Sequence, residues 1–74
     1  MFEKIRNLIA EQLYIDAESI HEDSGFVNDL GADSLDIIQM LIAMENEFGV
    51  SFDDDEIKSI TTVGDAVRLI QSKQ

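Results

Sequence analysis

One serine in the sequence stands where its hydroxyl could carry a covalent group. Ser34 lies within Asp29-Leu30-Gly31-Ala32-Asp33-Ser34-Leu35-Asp36, directly before a long stretch of mostly apolar residues. Gly31 can adopt the positive φ of a tight turn, and Asp33 or Ser34 can cap the helix that follows. A helix N-terminus favours an anion, because it has unpaired N–H groups and the positive end of the macrodipole. A phosphoester on Ser34 Oγ would therefore be stabilised at this position.

Two interpretations of this segment are open. In the simpler one, Asp33 and Ser34 only cap the helix. In the other, the hexapeptide from Gly31 to Asp36 carries a modification, since it resembles the attachment motif of the acyl carrier proteins. The serine of that motif carries 4'-phosphopantetheine through a phosphodiester. The resemblance implies that Ser34 is the attachment residue, with Asp33 and Leu35 as its neighbours in the site.

The length and the composition favour a single small domain over residues 1–74. The chain has 74 residues, of which 45% are hydrophobic, so there is no room for a second core. It has no run of 18 apolar residues and no pattern of a cleavable leader. We therefore expect a cytoplasmic monomer with no stable membrane insertion.

The charge indicates what kind of partner the chain binds. Sixteen acidic residues against five basic ones give a formal net charge of −11, which disfavours nucleic acid and anionic membranes. Partner proteins with basic surface patches are favoured instead. The chain has no cysteine, which excludes disulfides, thiolate-zinc sites and an intrinsic thiol nucleophile. Thioester chemistry would need a sulfur atom that is added to the chain.

The segment from Phe2 to Ala32 predicts one helix and one long loop. Apolar residues recur at helical spacing from Phe2 to Leu13, which indicates an amphipathic helix of about four turns. No helical period persists from about Ile15 to Ala32. Four apolar side chains should pin this loop to the core, and they are Ile20, Phe26, Val27 and Leu30. Residues 16–19 are expected to form a short helical turn inside the loop.

The central helix, predicted from Ser34 to Phe48, has two separate apolar arcs at roughly 100° per residue. One arc should face the core, and it consists of Ile37, Met40, Leu41, Met44 and Phe48. The second arc consists of Leu35, Ile38 and Ile42. Because one packed face cannot bury both sets, the second arc is expected to stay exposed beside Ser34, unless the long loop folds over it.

Two further helices complete the predicted fold. Gly49 is a candidate left-handed cap of the central helix, and the acidic run 53–56 suits the start of a short third helix ending near Ser59. Thr62 and Asp65 resemble a capping box before a fourth helix. Its core stripe is Val63, Ala66, Val67 and Ile70. The expected fold is all-α, a four-helix bundle with a short third helix and a long loop between helices 1 and 2, as in acyl carriers.

The sequence does not favour an enzyme. A serine hydrolase needs a base near its nucleophile, and the only histidine is His21 in the long loop. The nucleophile-elbow pattern is also absent, because Ala32 and Asp36 stand where it requires glycines. The acidic run 53–56 lacks the EF-hand pattern, so we assign no metal site. The chain is expected to be a substrate on which enzymes act.

The resemblance then implies a mechanism and a set of partners. A phosphopantetheinyl transferase would attach 4'-phosphopantetheine to Ser34, and acyl-loading and chain-elongating enzymes of fatty-acid biosynthesis would use the thiol of the arm. Phe26, Met40, Met44 and Phe48 would open a cleft that shelters the acyl chain. Gln39 stands where we expect an acid in a housekeeping fatty-acid carrier. A specialised carrier for polyketide, peptide or lipid-modification chemistry therefore stays open, as does an unmodified acidic interaction module.

The second arc of the central helix is the predicted partner surface. An exposed apolar strip provides contact area, and acids along its rim steer a basic partner towards it. The predicted partner-binding residues are Asp36, Ile38, Gln39, Ile42 and Glu45.

Overall fold

The computed structural model describes residues 1–74, and its helices are joined by loops and turns, without β-strands. Its helices are α1 (Phe2–Leu13), a short 3-10 helix (Ala17–Ser19), α2 (Ser34–Phe48), α3 (Asp54–Ser59) and α4 (Val63–Lys73). The predicted fold class is confirmed, and so is the helical turn inside the long loop. None of these helices is both long and apolar enough to cross a membrane.

The three longer helices enclose one apolar core, because each has an apolar stripe at helical spacing. Ile5 and Ile9 of α1 are fully buried, and they pack against the buried face of α2. On α2, the central residues of the predicted core arc are buried, while Ile37 and Phe48 are half-buried at its edges. All four residues of the predicted α4 stripe are buried, and they are Val63, Ala66, Val67 and Ile70.

The long loop is held by backbone hydrogen bonds to the segment that joins α3 to α4. Phe26 N donates to Thr61 O at 3.0 Å, and Val63 N donates to Ser24 O at 3.0 Å, around an isolated antiparallel bridge between Gly25 and Thr62. Ala32 N donates to Phe26 O at 2.8 Å, directly before α2. The starts of α2 and α4 therefore lie at the same end of the bundle.

Side chains also anchor the loop, although fewer than the sequence predicts. Ile20 and Phe26 are buried and Leu30 is half-buried. The prediction that Val27 pins the loop is wrong, since this residue is 60% exposed. The adjacent backbone explains the difference, because residues 26–30 form turns and only one side of those turns faces the core.

The helix ends follow the predicted capping chemistry. Gly49 caps α2 with φ 67°, in the left-handed region that glycine adopts without strain. Asp53 and Glu56 form a capping box at the start of α3, and Thr62 and Asp65 form one at the start of α4. Tyr14 ends α1 with φ 57°, which is unfavourable for a residue with a side chain.

The third helix is short and has no fully buried residue. An ion pair between Lys73 Nζ and Glu56 Oε1 at 2.9 Å ties its first turn to the end of α4. A hydrogen bond from Gln74 Nε2 to Phe48 O at 3.2 Å joins the ends of α4 and α2. Because α2 and α4 also share their starting end, these two helices run in the same direction.

Candidate functional site

Ser34 is the first residue of α2, but it is not the residue that caps this helix. Gly31 has φ 70°, as the predicted turn requires, and Asp33 is the N-cap. Asp33 Oδ1 accepts a hydrogen bond from Asp36 N at 2.9 Å, and Asp36 Oδ2 accepts one from Asp33 N at 3.2 Å. This capping box fixes the start of α2 without the serine side chain.

The Ser34 hydroxyl is therefore free. The residue is exposed, and its Oγ takes part in no side-chain hydrogen bond of the structure. The amide N–H groups of Ser34 and Leu35 also donate to no acceptor of the chain. A hydroxyl that is free, beside two unpaired donors at the positive end of a helix, can carry a negatively charged substituent.

An exposed apolar strip runs along α2 from this serine. We call Leu35, Ile38 and Ile42 the α2 strip, and these side chains are 62%, 47% and 51% exposed. The loop does not fold over them, so the predicted division of α2 into a core arc and an exposed arc is confirmed. Water-exposed apolar side chains of this size, in a row, are typical of a contact surface.

The polar residues predicted around the strip have different surroundings. Gln39 is exposed, whereas Asp36 and Glu45 are half-buried. Asp36 takes part in the capping box, and Glu45 Oε2 accepts a hydrogen bond from Phe52 N at 2.8 Å. Glu45 therefore holds the connection between α2 and α3 in place, a role that its position in the sequence did not reveal.

A pocket of about 220 Å³ opens beside the first turn of α2. It lies between the long loop, α2 and the end of α3, and it is lined by Gly25, Phe26, Val27, Asn28, Ile37, Ile60 and Thr61. Of the four residues predicted to line an apolar cleft, only Phe26 lines this pocket. Met40 and Met44 are packed in the core, at 1% and 0% exposure. Sequence reasoning missed the other residues, because the pocket depends on how the loop meets α3.

The structure assembles no acid–base machinery around Ser34. His21 is exposed in the long loop, and its backbone N–H donates to Ser24 Oγ at 2.9 Å. No hydrogen bond connects it to Ser34. No three acidic or histidine side chains are grouped so that they could hold a metal ion. The chemistry available at Ser34 is therefore that of a hydroxyl presented to another molecule.

The family model described as "Phosphopantetheine attachment site" matches residues 3–70 of this helical bundle, which places the chain in the class of phosphopantetheine-binding domains. The acyl carrier protein of Lactobacillus acidophilus is 47% identical over the whole chain, which corresponds to 92% of that protein. The acyl carrier protein of Clostridium acetobutylicum is 46% identical over 97% of the chain and 94% of that protein. The chain belongs to the acyl carrier protein family.

Solved structures agree with this assignment. A putative acyl carrier protein from Mycobacterium tuberculosis superimposes with a TM-score of 0.90 at 30% identity, and 97% of each chain is covered. The acyl carrier protein of Enterococcus faecalis gives a TM-score of 0.83, also at 30% identity, over 99% of this chain and 92% of that one. The prosthetic group of the family is 4'-phosphopantetheine, and the free Ser34 hydroxyl with its two unpaired amides fits a phosphodiester.

Proposed function

We propose that Ser34 is the residue to which a phosphopantetheinyl transferase attaches 4'-phosphopantetheine. The observation that carries this proposal is that Asp33 caps α2, which leaves the Ser34 hydroxyl exposed and without a hydrogen-bond partner. The unpaired N–H groups of Ser34 and Leu35 would stabilise the phosphodiester oxygens, together with the helix dipole. Asp33 and Leu35 are the neighbours that position this hydroxyl.

The attached group supplies a long arm ending in a thiol, which carries acyl groups as thioesters. The chain supplies no thiol of its own, because it has no cysteine. A thiol on an exposed arm stays reduced in the cytoplasm, and this is where we place the protein. The chain performs no catalytic step itself, and its part is to hold and present the arm to partner enzymes.

Partner enzymes dock on the α2 strip next to the modified serine. Leu35, Ile38 and Ile42 provide the apolar contact, and the high negative charge of the chain steers enzymes with basic patches towards it. Asp36, Gln39 and Glu45 lie around this contact. The first partner is the transferase, and acyl-loading and chain-elongating enzymes follow.

The pocket beside α2 is the place where the start of an acyl chain would shelter. Three of its lining side chains, Phe26, Ile37 and Ile60, are large and apolar. Each methylene group of the acyl chain that these side chains bury from water would stabilise the bound chain by about 0.8 kcal/mol. Ile37 lies in the first turn of α2, one turn from Ser34, so the pocket is close to the attachment point.

Fatty-acid biosynthesis is the pathway that we propose. It is supported by the likeness of the chain, over almost its full length, to separate acyl carrier proteins of several bacteria. One observation favours a second candidate, a specialised carrier for polyketide, peptide or lipid-modification chemistry. Gln39 gives the exposed face of α2 a neutral side chain where a housekeeping carrier is expected to have an acid.

Intact-mass measurement tests the attachment directly. The chain is co-expressed with a broad-specificity phosphopantetheinyl transferase, and the purified protein is weighed. We expect the wild type to gain the mass of one arm and Ser34→Ala to gain nothing. Ser24→Ala is the matched control, and it should gain one arm. An unchanged mass of the wild type would support an unmodified acidic interaction module instead.

A further inference from the structure

The pocket beside α2 has a polar mouth and an apolar interior. Asn28 and Thr61 line it and are exposed, whereas Phe26 and Ile60 line it and are buried, at 2% and 8% exposure. The two polar side chains therefore lie where the pocket opens to solvent, and the two apolar ones lie deeper. Because an amide and a hydroxyl are uncharged, this mouth offers hydrogen bonds without a net charge.

Backbone hydrogen bonds hold both polar residues of the mouth in place. Thr61 O accepts a hydrogen bond from Phe26 N at 3.0 Å. Asn28 lies inside a turn that two bonds close, one from Asp29 N to Gly25 O at 3.0 Å and one from Gly25 N to Asp29 Oδ2 at 2.6 Å. The two side chains are thus presented from a fixed backbone, which reduces the entropy lost when they bind a ligand.

Neither side chain uses its hydrogen-bonding groups within the chain. The Asn28 amide and the Thr61 hydroxyl take part in no hydrogen bond of the structure, although each can donate and accept. An apolar pocket with a few fixed polar groups is the usual form of a small-molecule site, and its polar groups provide the specificity. The matching ligand is apolar, with an uncharged oxygen at the end that stays near the mouth.

The direction in which an acyl chain enters decides where such an oxygen must be. The thioester carbonyl stays with the arm, so the free end of the chain enters first and the carbons nearest the thioester remain at the mouth. The pocket of about 220 Å³ has room for about seven non-hydrogen atoms, since a water molecule takes up about 30 Å³ and a methylene group is of similar size. A chain of six carbons therefore fills it.

We propose that Asn28 and Thr61 make this pocket selective for acyl chains with an oxygen close to the thioester, as in 3-hydroxyacyl and 3-oxoacyl groups. This inference rests on the proposed function. The oxygen accepts a hydrogen bond from the Asn28 amide or the Thr61 hydroxyl, and the rest of the chain packs on Phe26 and Ile60. A saturated chain of the same length would displace water from both polar groups without replacing its hydrogen bonds, and this is costly.

The protection of a thioester by the protein measures this selectivity. The apo protein is modified by a broad-specificity phosphopantetheinyl transferase with either hexanoyl-CoA or 3-hydroxyhexanoyl-CoA, and the products are weighed. Hydroxylamine then cleaves each thioester, and intact mass follows the rate. The rate for the corresponding acyl-CoA, divided by the rate for the acyl protein, gives the protection. This ratio removes the difference in intrinsic reactivity between the two thioesters.

The test variants are Asn28→Leu and Thr61→Val, singly and combined. Each keeps the approximate size of the side chain and removes its hydrogen-bonding groups. Asn7→Leu is the matched control, because Asn7 is exposed on α1 and does not line this pocket. Melting curves show that each variant is folded. If the combined variant is not, Thr61→Val alone decides, since valine and threonine have nearly the same shape.

We expect the protection of 3-hydroxyhexanoyl to exceed that of hexanoyl about two- to tenfold in the wild type and in Asn7→Leu. The preference should fall in each single variant and should vanish or reverse in the combined one. Equal protection of the two chains in the wild type, or protection of neither, would overturn the inference. A preference that survives in the combined variant would also overturn it. Apo protein that gains no mass with either acyl-CoA would instead contradict the proposed function.

Discussion

At the scale of single residues, two tasks fall to two different residues: Asp33 caps α2, and Ser34 presents a free hydroxyl. The sequence alone does not separate these tasks. Either residue is suited to cap α2, and the structure gives the cap to Asp33. Because the cap uses the carboxylate of Asp33, a phosphoester on Ser34 would leave the capping hydrogen bond in place. Because Asp33 and Asp36 complete the capping box, Ser34 can be modified without loss of structure.

This division predicts different stabilities for two alanine variants. Asp33→Ala removes the cap and should lower the free energy of unfolding by about 1 kcal/mol, or about 4–8 °C in Tm. Ser34→Ala removes a hydroxyl without a partner and should leave Tm unchanged. Thermal unfolding followed by circular dichroism measures both. A loss in Ser34→Ala as large as that in Asp33→Ala would mean that the serine caps the helix after all.

At the scale of helices, much of the fold could be predicted from local signals. Glycine at position 49 and the Thr62–Asp65 pair mark helix ends by chemistry that needs no distant partner. The two arcs of α2 follow from helical spacing alone. Val27 shows the limit of such reasoning, because its exposure depends on how the loop turns. The pairing of the loop with the start of α4, and the bond from Phe52 to Glu45, are long-range contacts that leave no local pattern.

The α2 strip gives a test at this scale. Ile42→Arg should leave Tm nearly unchanged, because the side chain is 51% exposed and a long side chain is tolerated there. It should nevertheless slow modification of Ser34 by the transferase, since it removes apolar contact and adds a positive charge facing a basic partner. Both Tm and the rate of mass gain are measured.

Tyr14→Arg is the matched control for this variant. Tyr14 is 94% exposed at the end of α1, so the same charge is added to an exposed apolar residue outside the strip. Its rate of modification should stay close to that of the wild type. If Ile42→Arg unfolds the domain, the strip belongs to the core and the docking surface lies elsewhere.

The short helix α3 and the start of α4 should respond to acid through their capping residues. The backbone N–H of Asp53 holds the pKa of Glu56 below its usual value, with help from Lys73, and the N–H groups of Thr62 and Thr61 do the same for Asp65. A carboxyl whose pKa is lowered by folding contributes stability at higher pH, and this contribution is lost as the pH falls through the folded pKa.

Glu56→Gln and Asp65→Asn should therefore lower the free energy of unfolding at pH 7. This difference from the wild type should shrink as the pH falls below the ordinary values of 4.5 for Glu56 and 3.8 for Asp65. Urea unfolding between pH 7 and about pH 2.5 measures the difference. A difference that stays constant over this range would show that the negative charges of Glu56 and Asp65 contribute nothing to the free energy of unfolding.

At the scale of the whole molecule, the charge that is proposed to steer partners is also expected to oppose folding. A net charge of −11 on 74 residues repels itself, and only two ion pairs offset the repulsion. Salt screens such repulsion, with a Debye length of about 10 Å at 0.1 M. The compact state is therefore expected to be weakest at low ionic strength.

Tm should rise as NaCl is added, and it should rise further with Mg²⁺ at matched ionic strength if the acidic run 53–56 concentrates cations. The variant with Glu3→Gln and Glu11→Gln has two charges fewer and should gain less from NaCl than the wild type. Differential scanning calorimetry gives these values. A Tm that responds to neither salt would show that self-repulsion is unimportant for this fold.

The central claim is that Ser34 carries 4'-phosphopantetheine, and peptide mapping of the protein isolated from its own cells tests it most directly. The chain has six serines, at positions 19, 24, 34, 51, 59 and 72, and cleavage into peptides with tandem mass spectrometry distinguishes them. We predict that the arm is found on Ser34 and on no other serine. An arm on a different serine, or native protein that carries none, would contradict the account.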